Sequence, residues 1–427
     1  MKKFSFLLCI ALLFLSGCSA DGSKEETKDG KVKIEYWHVN AETQGGKTVK
    51  ELVNNFNKQS DDVYVQAKYN PDMYKGLIQN MMSEAAGGRT PDVVQIGWSF
   101  KDYYKDNFEY TSPEKVINRS FPEDKKFIEE KFDDKILKIA QDEKGEQLGL
   151  PYSVSSPVMF INKDILRKAN LDESGPKTWE EVQTYADKIK QTTDQYGVFI
   201  QEPADSWAQQ AIVDSNGGNI VKDGKASFAS KEGVEAYQLM QNMVNNKSAL
   251  HTNDEQGQQS FINGEVGMLF TTNAKQKHIK DNAKFDVEAI EMPGWEGKEK
   301  KVPAGGAMLG ITSDTKEEQE ASWKFMKYLY KVENMAKWTK GTGYVPPRND
   351  VVDNPKGLKS YVEENEMMQP AINQMSNVVP WAAFPGNSGL EAEQQLIDMR
   401  DKILGEDADV KQTMKETQKR INQELDE

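Results

Sequence analysis

Cysteine is almost missing from this 427-residue chain, which has two, Cys9 and Cys18. Histidine is nearly as scarce: His38, His251 and His278 stand far apart, with no metal-ligand spacing and no His-Glu-x-x-His pair. There is also no Gly-x-Ser-x-Gly elbow, no phosphate loop and no Gly-x-Gly-x-x-Gly turn. These gaps lower the standing of metal, acyl-transfer and nucleotide chemistry, and no cofactor is expected. Basic residues are outnumbered, 54 against 68 acidic ones, for a formal net charge of −14. An acid-rich surface argues against nucleic acid and against broad adhesion to anionic lipid. Long apolar runs are lacking too. The one near the N-terminus, Phe4 to Phe14, falls short of the roughly 20 residues that a membrane span needs.

That short run has a different meaning. It follows Lys2 and Lys3 and precedes small residues, the order of a secretory signal. Leu15-Ser16-Gly17-Cys18 looks like a bacterial lipobox, in which the Cys18 thiol takes a diacylglycerol and becomes the new N-terminus. The plainer alternative is an ordinary signal peptide with an incidental cysteine. With the lipobox, residues 1–17 are the leader, and the mature protein is tethered through Cys18 to the outer face of the cell membrane. Cys9 leaves with the leader, so no intramolecular disulfide is possible. Residues 18–30 are nearly devoid of apolar side chains and read as a solvated tether.

The remaining length exceeds a single core, so two lobes are expected. Lys31–Trp37, Val63–Tyr69 and Asp92–Ile96 read as strands, with helices at Lys47–Gln59 and Tyr74–Ala86 between them. This β-α-β-α-β order favours an α/β lobe with helices on both faces of its sheet. Thr178 is placed as an N-cap, with Glu181 completing a capping box. Lys316–Tyr330 is an amphipathic helix, and Trp179, Trp323 and Trp338 are expected in the core.

Aromatic residues stand beside small polar ones at strand ends and in loops: Trp37-His38, Tyr74, Gly97-Trp98, Trp207, Thr271-Thr272-Asn273, Gly343-Tyr344 and Trp381 to Phe384. Aromatic faces can stack on sugar rings while amides and hydroxyls fix the ring hydroxyls. In open α/β sheets ligands sit beyond the carboxyl ends of strands, where Trp37 and Trp98 fall.

Six segments in order carry a family resemblance: Tyr36-Trp37-His38, Ala85 to Val94, Leu150-Pro151-Tyr152 followed by Phe160 to Asp164, Pro176 to Glu181, Phe261 to Met268, and Gly341 to Pro346. From about Lys31 to the C-terminus, the chain resembles the extracellular solute-binding proteins of ABC transporters, in the family of maltose-binding and glycerol-3-phosphate-binding proteins. The resemblance implies a two-lobed α/β periplasmic-binding-protein fold (type II) with a ligand cleft at a multi-segment hinge. By position, lobe 1 is expected at 31–150 plus 266–313 and lobe 2 at 151–265 plus 314–427. It also implies a monomer, not an enzyme, that binds a carbohydrate and delivers it to ABC permease subunits. Carried over residue by residue, Trp37, Tyr74, Trp98, Ser155, Thr272, Gly306 and Tyr344 match cleft positions, and Trp207 a binding loop. Trp37, Trp98, Trp207 and Trp381 are expected to stack on the ligand, and Asn40, Ser155, Asp205, Asn273 and Gly306 to make polar contacts. His38 and Arg348 are the nearest candidates for an anion.

The glycerol-3-phosphate branch places an arginine after its final loop, whereas here that loop reads Trp381-Ala382-Ala383-Phe384-Pro385-Gly386-Asn387-Ser388-Gly389. Loss of a bidentate phosphate partner turns the expectation towards a sugar or oligosaccharide. Glycerol-3-phosphate, a glycerophosphodiester or a sugar–amine conjugate is the alternative. A surface glycoside hydrolase or lyase is the alternative of another class, because a pair of catalytic carboxylates is set only in three dimensions.

Overall fold

The computed structural model describes residues 30–42, 45–201, 206–386 and 388–426. The expected leader, Cys18 and nearly all of the expected tether lie outside the described residues, as does Asp205. The strands are β1 (Val32–His38), β2 (Val63–Tyr69), β3 (Val93–Gly97), β4 (Leu150–Ser155), β5 (Pro157–Asn162), β6 (Tyr196–Ile200) and β7 (Val221–Lys222). They continue as β8 (Lys225–Ala226), β9 (Ala249–Leu250), β10 (Val266–Thr272), β11 (Val287–Glu291), β12 (Val302–Pro303), β13 (Gly305–Ile311) and β14 (Val378–Val379).

Two five-stranded sheets organise the chain, in the orders β2-β1-β3-β13-β4 and β11-β5-β10-β6-β9. In the first, β1 runs parallel to β2 and β3, while β13 runs antiparallel to β3 and β4. In the second, β10 is parallel to β6 and antiparallel to β5. The central strands β3, β5 and β13 are buried along their whole length, as their largely apolar sequences require when helices cover both faces. Each sheet has a core on either side. Tyr36, Val65, Trp323 and Trp338 lie on one face of the first sheet and Leu77, Ile96 and Met308 on the other. Met159, Trp179 and Phe270 lie on one face of the second, and Phe160, Phe199 and Leu269 on the other. Trp179, Trp323 and Trp338 are fully buried, as expected of them.

The division between lobes differs from the expected one. Strands β10 and β11, within 266–313, belong to the second sheet. Helices Lys316–Leu329 and Val332–Thr342, within 314–427, pack on the first sheet through Trp323, Phe325, Met326 and Trp338. The chain therefore crosses at Ser155–Pro157, between Glu291 and Gly305, and between Leu358 and Met367, rather than near Glu265 and Ser313. An apolar strand or an amphipathic helix carries no mark of which sheet it will join. Pairing register and long-range packing decide that.

Helix starts follow local chemistry closely. Thr178 caps Trp179–Thr192 by accepting from the Glu181 amide, at 3.2 Å. The Glu181 carboxylate, however, accepts from Lys177 N at 2.6 Å, one residue before the cap. The complete reciprocal capping box is at Thr315 and Glu318.

Candidate functional site

The register of both sheets points their edges at one junction. The carboxyl ends of β1 and β3, at His38 and Gly97, share an edge with Ser155 and Gly305, which are paired across β4 and β13. On the second sheet Pro157 and Thr272 are paired at the edge where β6 also ends. Only Ser156 separates the two edges along the chain.

Three buried amides tie this junction together. Asn273 accepts from Ser156 N at 2.8 Å and donates to Gly343 O at 2.6 Å. The Gln374 amide donates to Ser156 Oγ at 2.8 Å and to Pro157 O at 2.6 Å, and its oxygen accepts from Met292 N at 3.1 Å. Gln374 thus ties the first crossing to the start of the second. The Gln210 amide donates to Pro380 O at 3.0 Å and accepts from Ala382 N at 2.9 Å, holding the loop after the third crossing to the second lobe.

Beside the junction is a cavity of about 360 Å³, walled from both lobes. The first lobe supplies Tyr74, Lys75, Phe100 and Tyr103, the second Phe384 and Glu393, and the loop after the third crossing Trp381, which packs on the first lobe's core, with a mainly apolar lining. Tyr74 is positioned by tight packing: a Cβ on Gly97, at the end of β3, would lie 2.5 Å from its ring. Asp72 and Met73, just before it, both hold left-handed backbone, at φ 60° and 53°. Such strain in two successive non-glycine residues is the kind that collects at ligand sites. A larger depression of about 720 Å³, lined by Asn162, Lys168, Gln259, His278 and Phe285, belongs to the second lobe alone, so lobe closure cannot enclose a solute there.

Of the expected contacts, Tyr74 and Trp381 line the inter-lobe cavity. The other described ones stand behind it or in the hinge. Trp37 is buried under Lys68, whose Nζ lies 3.9 Å from the ring centre, and its Nε1 donates to Glu35. Trp98 and Trp207 donate to Gly305 O and Pro303 O, at 3.0 and 3.1 Å, so both indoles clamp the second crossing. Trp207 also lies against Trp381, with ring centres 6.1 Å apart. His38 accepts from Asn40 N through Nδ1, and both side chains are buried. Burial first, then the Lys50 charge, lowers the His38 pKa to about 4, so at neutral pH it offers an anion no charge. Ser155 is buried at the end of β4. Thr272 accepts from Ala274 N and starts a short helix. Asn273 is fully buried, and both ends of its amide are bonded within the hinge. Gly306, at φ 103°, is required by the backbone: a Cβ would sit 2.0 Å from Ser153 O. Tyr344 stacks on Trp338 with an 11° interplanar angle. Arg348 is buried against Phe127, donating to Asp350 and Tyr330 O, which removes it as an anion partner.

Phe100, Tyr103, Lys75 and Glu393 were not legible as site residues. Tyr103 and Phe100 fall in a charged segment, and Glu393 sits on a helix rich in Glu and Gln, where a carboxylate reads as a solvated face. Glu393 accepts from Ser206 N at 2.8 Å. Burial raises its pKa above the ordinary carboxylate value, against opposing effects of the Ser206 bonds and the Arg400 and Lys75 charges.

Two lobes, three crossings and a cavity walled from both sides define a hinged receptor for a small solute. The comparisons agree, and the chain belongs to the bacterial extracellular solute-binding protein family, whose model matches residues 51–368. It is 27% identical over 394 residues to the sn-glycerol-3-phosphate-binding periplasmic protein UgpB of Pectobacterium atrosepticum, covering 87% of this chain and 85% of the relative. The corresponding protein of Escherichia coli K12 is 28% identical over 378 residues, with 84% and 83% covered. Among solved structures, UgpB of Mycobacterium tuberculosis in complex with glycerophosphocholine has a TM-score of 0.81 at 21% identity, covering 93% of this chain and 99% of that one. The cyclic alpha-maltosyl-1,6-maltose binding protein of Arthrobacter globiformis has a TM-score of 0.78 at 19% identity, with the same coverage. These two structures share the fold.

Proposed function

We propose that this chain is the lipid-anchored extracellular receptor of an ABC importer, binding a sugar or short oligosaccharide between its lobes and presenting the closed form to the permease. The observation that carries the reading is the cavity walled by Tyr74, Phe100 and Tyr103 from one lobe and Phe384 from the other, with Trp381 on the loop between them. Flat apolar rings on both sides suit the C–H faces of a sugar. At about 360 Å³ the space is near the small end of the ~300–1,000 Å³ range of small-molecule sites, which suits a short solute. No arginine is among the described lining residues, and Lys75 is the one cation there. That supports a neutral solute over a phosphate ester, whose oxygens favour a guanidinium fork. Anchoring at Cys18 would hold the receptor at high effective concentration beside its permease.

A thermal-shift and calorimetric panel of mono- and disaccharides, sugar phosphates and amines tests this. A cognate solute at 100 times its Kd adds about 2.7 kcal/mol to stability. Unchanged melting across the panel, or turnover of a sugar to product, would sink the reading. Cys18→Ala is expected to move the protein from the membrane fraction to the medium. Retention of that variant in membranes would remove the lipid anchor from the proposal.

A further inference from the structure

Glu393 stands among the aromatic walls of a mainly apolar cavity, whose other charged lining residues are Asp72 and Lys75. It stands in the second turn of helix Gly389–Gly405 and lines the space shared with Tyr74, Phe100, Tyr103, Trp381 and Phe384. The Ser206 amide fixes one of its oxygens. No ion pair to it within 4 Å occurs among the described residues: Arg400, two turns along the same helix, bonds Asp401 at 2.8 Å, and Lys75 acts on it from the opposite lobe only through its charge. A carboxylate in apolar surroundings is costly unless a cation or a set of donors meets it. Nothing in the fold demands an acid here, because a glutamine would also accept from Ser206 N.

We infer that Glu393 is a specificity-determining residue that pairs with a cationic nitrogen on the solute, so that the cavity favours an amine-bearing sugar or polyol over its neutral counterpart. The inference rests on the reading of the inter-lobe cavity as the solute site. The aromatic walls serve the same ligand, since ring faces attract a cation as well as stacking on carbon. Lys75 is the counterweight. Its charge discourages a second positive group at the first lobe's side, so one cationic nitrogen is accepted at the Glu393 end.

Isothermal titration of the full chain with matched pairs tests this, using glucose against glucosamine and sorbitol against 1-amino-1-deoxysorbitol, with choline and glycerol 3-phosphate as the cation-only and anion probes. A hydrogen bond to a charged group corresponds to a preference of about tenfold or more for the amine member of each pair. In E393Q, whose unchanged melting temperature shows that the fold is kept, that preference, read as the ratio within each pair, is expected to fall to within about threefold. K75Q is expected to raise the preference for the amine. Equal binding of neutral and amine members, or an amine preference that survives in E393Q, overturns the role given to Glu393 and leaves the sugar-receptor reading standing. Tightest binding of glycerol 3-phosphate overturns it as well. Binding of no member overturns the reading of the cavity itself, and this inference with it.

Discussion

Truncating Asn273 separates a hinge role from a ligand-contact role. The side chain is fully buried, and both ends of its amide are engaged, at 2.8 Å to Ser156 N and 2.6 Å to Gly343 O. Asn273→Ala leaves a buried N–H and a buried C=O without partners. Orphaning one such group costs about 1–3 kcal/mol. Two together cost about 2–6 kcal/mol, and a water admitted to the vacated space returns part of that, since bridging water is nearly as good a partner. The expected loss is therefore about 2–4 kcal/mol of unfolding free energy, read from urea titration of the unliganded protein at pH 7. Asn273→Asp keeps the acceptor for Ser156 but sets an oxygen against Gly343 O, so its loss should be at least as large. A residue kept for touching a solute would leave the unliganded protein unchanged. Loss below about 0.5 kcal/mol in both variants, the range of ordinary surface substitutions, would refute the hinge argument.

Two further substitutions probe the scaffold around the cleft. Gly306→Ala is expected to abolish folded expression or to cost more than about 4 kcal/mol, because a Cβ would meet Ser153 O at 2.0 Å and φ is 103°. Wild-type-like circular dichroism and melting for that variant would contradict the close approach of β13 to β4. Asp92 gives a pH signature. Burial, chiefly, raises its pKa to about 7 from 3.8, although Glu35 N donates to it at 2.8 Å. The folded state keeps a proton that the unfolded chain releases, so stability falls as pH rises from about 4 to 7. Asp92→Asn should then stabilise by on the order of 2–4 kcal/mol at pH 8 and be near neutral at pH 4, read by urea unfolding at each pH. An equal effect at both pH values would refute the buried protonated acid. His38 works in the opposite sense, losing its contribution as pH falls from 6.5 towards 4, which is why the single-site comparison is needed.

Much of the local structure was legible from residue order. Val63–Tyr69 is a strand at the limits its alternation predicts, and Gly46–Gln59 forms around Val49, Leu52, Val53 and Phe56 at helical spacing. Trp179, Trp323 and Trp338 took their places in the core because each lies on the apolar face of an amphipathic helix. The tryptophans at strand ends were less informative. Trp98 and Trp207 stand at the hinge, with their indoles turned to backbone carbonyls of the second crossing. An aromatic at a strand end has the same pattern in sequence whether it faces solute or clamps a hinge.

The lipobox-like segment, the acid-rich charge, the α/β order of the first lobe and the six family segments are properties of the sequence by itself. Each depends on near neighbours, a short window or a count, so no folding is needed to read it. Which sheet receives β10 and β11, which lobe carries helices Lys316–Thr342, and which carboxylate enters the cavity were decided only by tertiary structure. These depend on pairing between residues far apart in the chain. Glu393 shows the consequence: along its helix it is one acid among several, and only its place in a cavity shared with rings of the opposite lobe makes it distinct.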